Sequence, residues 1–314
     1  MRLATAARLV ETRGVDATDA GLRFLSRAAD HGIDLELLWA VTRDGQKVRQ
    51  AALVVPQPGR TAMLFLSGVG RARECGDRRR QHEDRVALLR GVLAEVPAVL
   101  ADRVHLVQAL PAPEEWWATE AFAGAGMTRL GDLAYLRRPL ALPVAGLLIG
   151  DWPEGVTVSP LRGLDDHLDG PALRRALERS YIDTLDCPGL CDLRDTRDVI
   201  ESHRATGEFD PSLWWVVRAE GEPEGCVLLS PSREQDTVEL VYMGLGPALR
   251  GRGLGRRLLA YAIGHAQRCR LGTVTCAVDC RNEPARALYA RLGFSEFARR
   301  IAYVHPVRQA PTDG

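Results

Sequence analysis

The stretch Thr237-Val238-Glu239-Leu240-Val241-Tyr242-Met243-Gly244-Leu245-Gly246-Pro247-Ala248-Leu249-Arg250-Gly251-Arg252-Gly253-Leu254-Gly255-Arg256-Arg257-Leu258-Leu259 changes character twice. Its β-rich opening breaks at Gly246-Pro247. Glycines then alternate with other residues from Gly251 to Gly255, and an apolar-periodic helix begins, carried by Leu254, Leu258, Leu259, Ala262 and Ile263. The order is strand, glycine-rich loop, helix. Such a loop lets backbone N–H groups at a helix N-terminus face an anion without obstruction by Cβ, and the helix dipole adds attraction. Arg250, Arg252 and Arg256 can supplement it with charge-assisted bonds. The expected ligand is a phosphate or pyrophosphate. No Gly-Lys-Ser/Thr follows, so this is not a Walker A loop, and the glycine spacing is not that of a dinucleotide fingerprint. An arginine-rich turn with glycines serving tight packing is the other reading of the same residues.

The downstream segment decides between them. Asn282-Glu283-Pro284-Ala285-Arg286-Ala287-Leu288-Tyr289-Ala290-Arg291-Leu292-Gly293-Phe294 stands after a second strand-like run, Thr273–Val278. Arg250-x-x-Gly253-x-Gly255 and this segment together resemble the two hallmark motifs of the GNAT superfamily of N-acetyltransferases, over about Val156 to Val307. The resemblance implies an acyl-CoA pyrophosphate site at Arg250, Gly251, Arg252, Gly253, Leu254, Gly255 and Arg256. It implies a pantetheine cleft where the strand Val238–Leu245 splays from Thr273–Val278. There Met243, Gly244 and Leu245 would offer main-chain groups, and Asn282 would bond CoA. Acetyl-CoA is the expected co-substrate, with no metal.

Acyl transfer to an amine needs a base for the amine and a proton for the leaving thiolate. Glu239 is the base candidate, an acid in an otherwise apolar strand, where burial would raise its pKa. It lies eleven positions before Arg250, similar to the spacing of the catalytic glutamate in histone-acetylating members of the superfamily. An exposed strand-edge glutamate is the alternative. Tyr289 matches the family tyrosine that acts as general acid; a tyrosine packing on the sheet is its alternative. The early helices of this fold line the amine site, which points to Tyr181, Asp183, Asp186 and Trp214. A capped helix end with a proline stop explains the same stretch. His203 and His265 read as surface or packing residues. The resulting function is transfer of an acetyl group to a primary amine of a small molecule or peptide N-terminus, by direct attack in a ternary complex. A non-catalytic acyl-CoA-binding sensor would use the same loop without Glu239 or Tyr289.

The 314 residues allow two domains. Gly126-Met127 with Leu133-Ala134-Tyr135-Leu136 echoes Gly293-Phe294 with Ile301-Ala302-Tyr303-Val304 in registers one residue apart, and the element order before them matches. The expected class is therefore α/β (α+β): tandem GNAT-like domains, each a mixed, mostly antiparallel sheet with splayed central parallel strands flanked by helices. Expected bounds are 1–140, a proline-bearing linker 141–155, and 156–307. The first domain is degenerate. Arg73-Glu74-Cys75-Gly76-Asp77-Arg78 ends in arginine where a glycine should be, Arg79 to Asp84 are too polar to open an amphipathic helix, and Pro113–Trp117 lacks the asparagine and tyrosine. Its helices are expected near Asp16–His31, Gln81–Glu95 and Pro113–Ala125, with a final strand pair over Leu130–Leu140.

Composition excludes other classes. Net charge is zero, giving no global case for nucleic acid or an anionic membrane. No run reaches the ~18 apolar residues of a membrane span. Seven scattered cysteines suit a reducing cytoplasm, and Cys187-Pro-Gly-Leu-Cys191 lacks the second half of a zinc site. A monomer or homodimer is expected.

Overall fold

The computed structural model describes residues 1–11, 15–42, 45, 47–69, 78–144 and 152–307. The chain forms two compact units, Met1–Leu130 with Arg300–Gly314, and Gly131–Arg299. Residues 73–77 of the imperfect glycine loop and residues 145–151 of the expected linker lie outside the described residues.

The first unit opens with α1 (Arg2–Leu9) and α2 (Ala17–Arg27), the latter capped by Asp16, whose carboxylate accepts from the N–H groups of Thr18 and Asp19. Three antiparallel strands follow, β1 (Leu38–Thr42), β2 (Val48–Gln57) and β3 (Thr61–Leu66). Then come α3 (Arg78–Leu100), β4 (Leu106–Ala109) and α4 (Trp116–Gly124). β3 and β4 run parallel for three residue pairs, Thr61↔Leu106 to Met63↔Gln108. β4 is flanked on its other side by Tyr303–Pro306, from the far end of the chain. Leu89, Val92 and Val96 of α3 pack on Val54, Ala62 and Val107 to make the core. α3 begins earlier than its polar start predicts. Gln81, Asp84 and Arg85 are buried, and the Arg85 guanidinium lies 5.0 Å from the Trp117 ring centroid, so its aliphatic stem does the work of an apolar residue.

In the second unit the strand order is β5-β10-β9-β8-β7-β6. β5 (Thr128–Pro139) is one long strand where a strand pair was expected. β6 (Val156–Pro160), α5 (Asp169–Tyr181) and α6 (Thr196–Arg204) follow. β7 (Trp214–Ala219) and β8 (Glu222–Ser232) form a hairpin whose tip residues, Glu220 and Gly221, both have positive φ, as a tight hairpin turn demands. β9 (Thr237–Leu245), α7 (Leu254–Arg268), β10 (Thr273–Asp279), α8 (Glu283–Arg291) and β11 (Ser295–Pro306) complete the chain. Apolar side chains on one sheet face pack against α7 and α8, and those on the other against α5.

The unit boundaries differ from the sequence expectation of 1–140 and 156–307. β5 residues 133–139 pair antiparallel with β10 inside the second unit, whereas Tyr303–Pro306 of β11 serve the first. The chain after β5 is also held firmly. Buried Arg138 donates to the carbonyls of Leu292, Pro139, Leu142 and Pro143, and Gln267 donates to those of Leu140 and Leu142. No helix among the described residues is long and apolar enough to cross a membrane.

Candidate active site

β9 and β10 pair in parallel only from Thr237↔Thr273 through Glu239↔Thr275. Beyond that vertex β9 continues to Leu245 paired with β8 alone. A register shift in the β8–β9 ladder marks the departure: Leu228 faces Tyr242 while Leu229 faces Leu240, leaving Val241 as the extra residue of a bulge. The bulge resets the alternation. Tyr242 turns toward α5 and α6, and Met243 and Leu245 pack on the α7 side. Gly244 follows from this. A Cβ there would stand 2.5 Å from the Tyr242 hydroxyl and 2.8 Å from Ser180.

Where β9 ends, Gly251 and Gly253 have φ of 73° and 71°, and neither would meet any atom within 4 Å through a Cβ. Their backbone conformation demands glycine, and the space in front of them is open. α7 starts at once, with no side-chain cap and no acid in its first turn. Arg252 and Arg256 are exposed beside it, Leu254 is buried beneath it, and Gly255 lies 3.6 Å from Leu288 of α8 by its virtual Cβ. Unsatisfied N–H groups, open glycine backbone and two exposed guanidiniums fit a pyrophosphate.

Arg250 is placed differently from expectation. Its guanidinium donates to the carbonyls of Leu245 (2.8 Å), Ile182 (2.7 Å), Asp183 (3.2 Å) and Ser180 (2.9 Å), so four of its five N–H donors tie the end of α5 to the end of β9. Asn282 is likewise engaged. Its Oδ1 caps α8 by accepting from Ala285 N–H, and its side chain bonds Asp186. Both motif residues therefore brace the cleft through their side chains.

Glu239 is the last residue of β9 in the parallel pairing. By surface area Glu239 is exposed, not buried as the base reading expected: its side chain opens on a cavity of about 410 Å³, and partial desolvation by the protein around it raises its carboxyl pKa above the ordinary range. Tyr289 approaches from the opposite face. It is buried among Phe294 and the α7–α8 core, and its hydroxyl hydrogen-bonds the thiol of Cys276, the residue after Thr275. Burial holds the phenol well above its usual pKa, and so protonated, and pushes the Cys276 thiol up to about 12. The two candidates thus stand on either side of the point where the strands part.

The expected acceptor residues separate. Trp214 is wholly buried, edge-on to Phe209 at 4.9 Å, and is a core residue because its strand lies under α5. Asp186 is a latch: its Oδ1 accepts from Asp279 N–H at 2.8 Å, while Cys187 N–H donates to Asp279 at 3.2 Å. Burial raises the Asp186 carboxyl. Asp183 takes a left-handed φ of 50° and offers its carbonyl to Arg250. Tyr181 lies edge-on to Tyr242, whose hydroxyl is 2.7 Å from Ser180 Oγ and whose ring stacks on His203 at 5.7 Å. His203 is a packing residue, its pKa lowered to about 4 by burial and by Arg194, and its Nε2 is buried without a partner. His265 packs on Trp215 and Tyr261. Among the described residues no group of three or more His, Cys, Asp or Glu could hold a metal ion.

Splayed parallel strands with an uncapped, glycine-entered helix at their mouth form a cleft that ends on an anion site. Residues 177–294 match the model of the acetyltransferase (GNAT) family. The mycothiol acetyltransferase of Streptomyces bingchenggensis is 31% identical over 180 residues, covering 57% of this chain and 56% of that protein. That of Clavibacter michiganensis subsp. michiganensis is 30% identical over 216 residues, covering 66% and 67%. In the Streptomyces protein and two further mycothiol acetyltransferases the match spans 56 to 61% of the relative's length, little more than half. Among solved structures, a GCN5-related N-acetyltransferase from Sphaerobacter thermophilus matches with TM-score 0.59 and 18% identity over 98% of this chain and 91% of that one. A tandem GNAT protein from the clavulanic acid biosynthesis pathway matches with TM-score 0.50 and 15% identity over 99% and 94%. The chain belongs to the GNAT acetyltransferase superfamily and has the tandem fold.

Proposed function

We propose that this chain transfers an acetyl group from acetyl-CoA to a primary amine of a small molecule, by direct attack in a ternary complex. The observation that carries the proposal is the placing of Glu239 and the Tyr289 hydroxyl on opposite faces of the β9–β10 vertex. Acetyl-CoA supplies the activated acyl group when bound. The N–H groups at the start of α7, with Arg252 and Arg256, hold its pyrophosphate. Main-chain groups of Met243, Gly244 and Leu245, beyond the parallel pairing, line the pantetheine path. Glu239 takes a proton from the attacking amine, and Tyr289 gives one to the departing sulfur, so the proton count closes. The relatives named mycothiol acetyltransferases support a small-molecule acceptor over a peptide.

The test is CoA release with a panel of amines. Glu239→Gln should lower kcat/KM by roughly 10²-fold or more and Tyr289→Phe by a comparable factor, with acetyl-CoA binding retained. As a base Glu239 must be ionised, so activity should fall as pH drops through its raised pKa, and Glu239→Gln should remove that acid limb. Full turnover in both variants would refute the assignment.

A further inference from the structure

The cavity beside Glu239 has a built composition. Cross-strand pairing puts Ser230 of β8, Glu239 of β9, Thr275 of β10 and Arg137 of β5 in one row: Ser230↔Glu239, Glu239↔Thr275, Thr275↔Arg137. Directly paired residues present their side chains to the same face. A second row adds Thr237 and Thr273, and Tyr135 stands opposite Ala277. The guanidinium of Arg137 lies 5.5 Å over the ring of Phe297, and Tyr135 meets that ring edge-on at 6.4 Å. Arg137 makes no ion pair with any described residue, and partial desolvation is the one cause of the raised Glu239 carboxyl. Acid and guanidinium are thus held two strands apart, about 10 Å between backbones, without touching. Hydroxyls floor the gap between them.

We propose that Arg137, backed by Phe297 and Tyr135, is a subsite for an anionic group on the amine acceptor. It rests on the acetyltransferase reading. The acceptor class is an amine carrying a carboxylate or phosphate several bonds from the nitrogen. The nitrogen goes to Glu239, the acid to Arg137, and a hydrogen-bonding middle to Thr275. A guanidinium fixed over an aromatic ring keeps its N–H fork free for an oxyanion. The separation disfavours a simple α-amino acid, whose charges stand too close together to reach both.

The test uses the full chain and three probes of equal length: 6-aminohexanoate, 6-aminohexyl phosphate and neutral 6-aminohexanamide. Binding to the protein preloaded with CoA is measured by calorimetry, alongside CoA release from acetyl-CoA. At least one acid-bearing probe should bind roughly tenfold or more tighter than the amide. The preferred one tells carboxylate from phosphate. Arg137→Gln should bring that ratio near one and raise KM for the acid probe, while leaving KM for acetyl-CoA in place. Arg137→Lys should restore part of it. Equal binding of all three probes by the native protein, or an unchanged ratio in Arg137→Gln, would overturn the subsite whether or not turnover is seen. Discrimination among probes without any CoA release would instead sink the acetyltransferase reading and leave the anion site standing.

Discussion

Arg250 shows how a motif residue's place can be plain from sequence while its side-chain partners are not. Its position after the strand and before the glycines is plain from sequence, but the four carbonyls it holds come from segments about 70 residues earlier and from the end of its own strand. No local pattern records such partners. Arg250→Ala should therefore cost stability, about 2 kcal/mol or more, because charge-assisted bonds to partly buried carbonyls are lost together. Urea unfolding checks this; unchanged stability with only a higher KM for acetyl-CoA would return Arg250 to the role of a plain anion ligand. Trp214 teaches the converse. A tryptophan near the acceptor helices suggests a binding wall, but it falls on the face of β7 that α5 covers, and alternation along a strand buried on both sides cannot tell the two faces apart. Glu239 stands out in the sequence because a lone carboxylate in an apolar strand breaks the pattern that packing alone would produce; its role as base is the proposal that Glu239→Gln tests.

Among elements, the strands Val238–Leu245 and Thr273–Val278 and the start of the helix after Gly253 were readable to within a residue or two, since each has its period and its glycine or proline stops. The bulge at Val241 was not. From Leu240 to Leu245 no charged residue marks a face, so an inserted residue leaves no break in the alternation. Its effect is large nonetheless, for it sends Tyr242 to the face where His203 of α6 stacks on it. That contact ties α6 to pH. The folded pKa of His203, about 4, lies below the ordinary 6.5, so the unfolded chain binds its proton first as pH falls. This contribution to stability is complete above pH 6.5 and drains away between there and about 4, with a ceiling of about 3 kcal/mol. His203→Phe keeps the stacking ring without the titration. Urea midpoints of the variant should fall less than those of the native protein over that window; parallel curves would mean that His203 is not held neutral.

For the whole molecule, the sequence repeat gave two similar halves, and the matched element order and the paired three-residue parallel ladders agree with it. What the repeat could not give is where each last strand goes. β5 and β11 occupy equivalent places in their halves, and hydrophobic pattern specifies that a strand is covered but not by whom. Cutting at the apparent linker would therefore be destructive. A fragment covering 156–307 loses the strand that pairs with β10 from Thr273 to Asp279, leaving an unpaired ladder edge. It should aggregate or bind acetyl-CoA poorly, whereas one beginning at Thr128 should be more soluble and show a larger thermal shift with acetyl-CoA. Equal behaviour of the two fragments would show that β5 contributes little to the second unit.

The reciprocal placing of β5 and Tyr303–Pro306 also bears on inheritance. A gene for either half alone would encode a protein missing one staple of its own sheet, so the duplicated halves are locked into a single reading frame. Mutational tolerance should be narrow along β5, where a substitution such as Leu136→Asp strikes the packing of the other half.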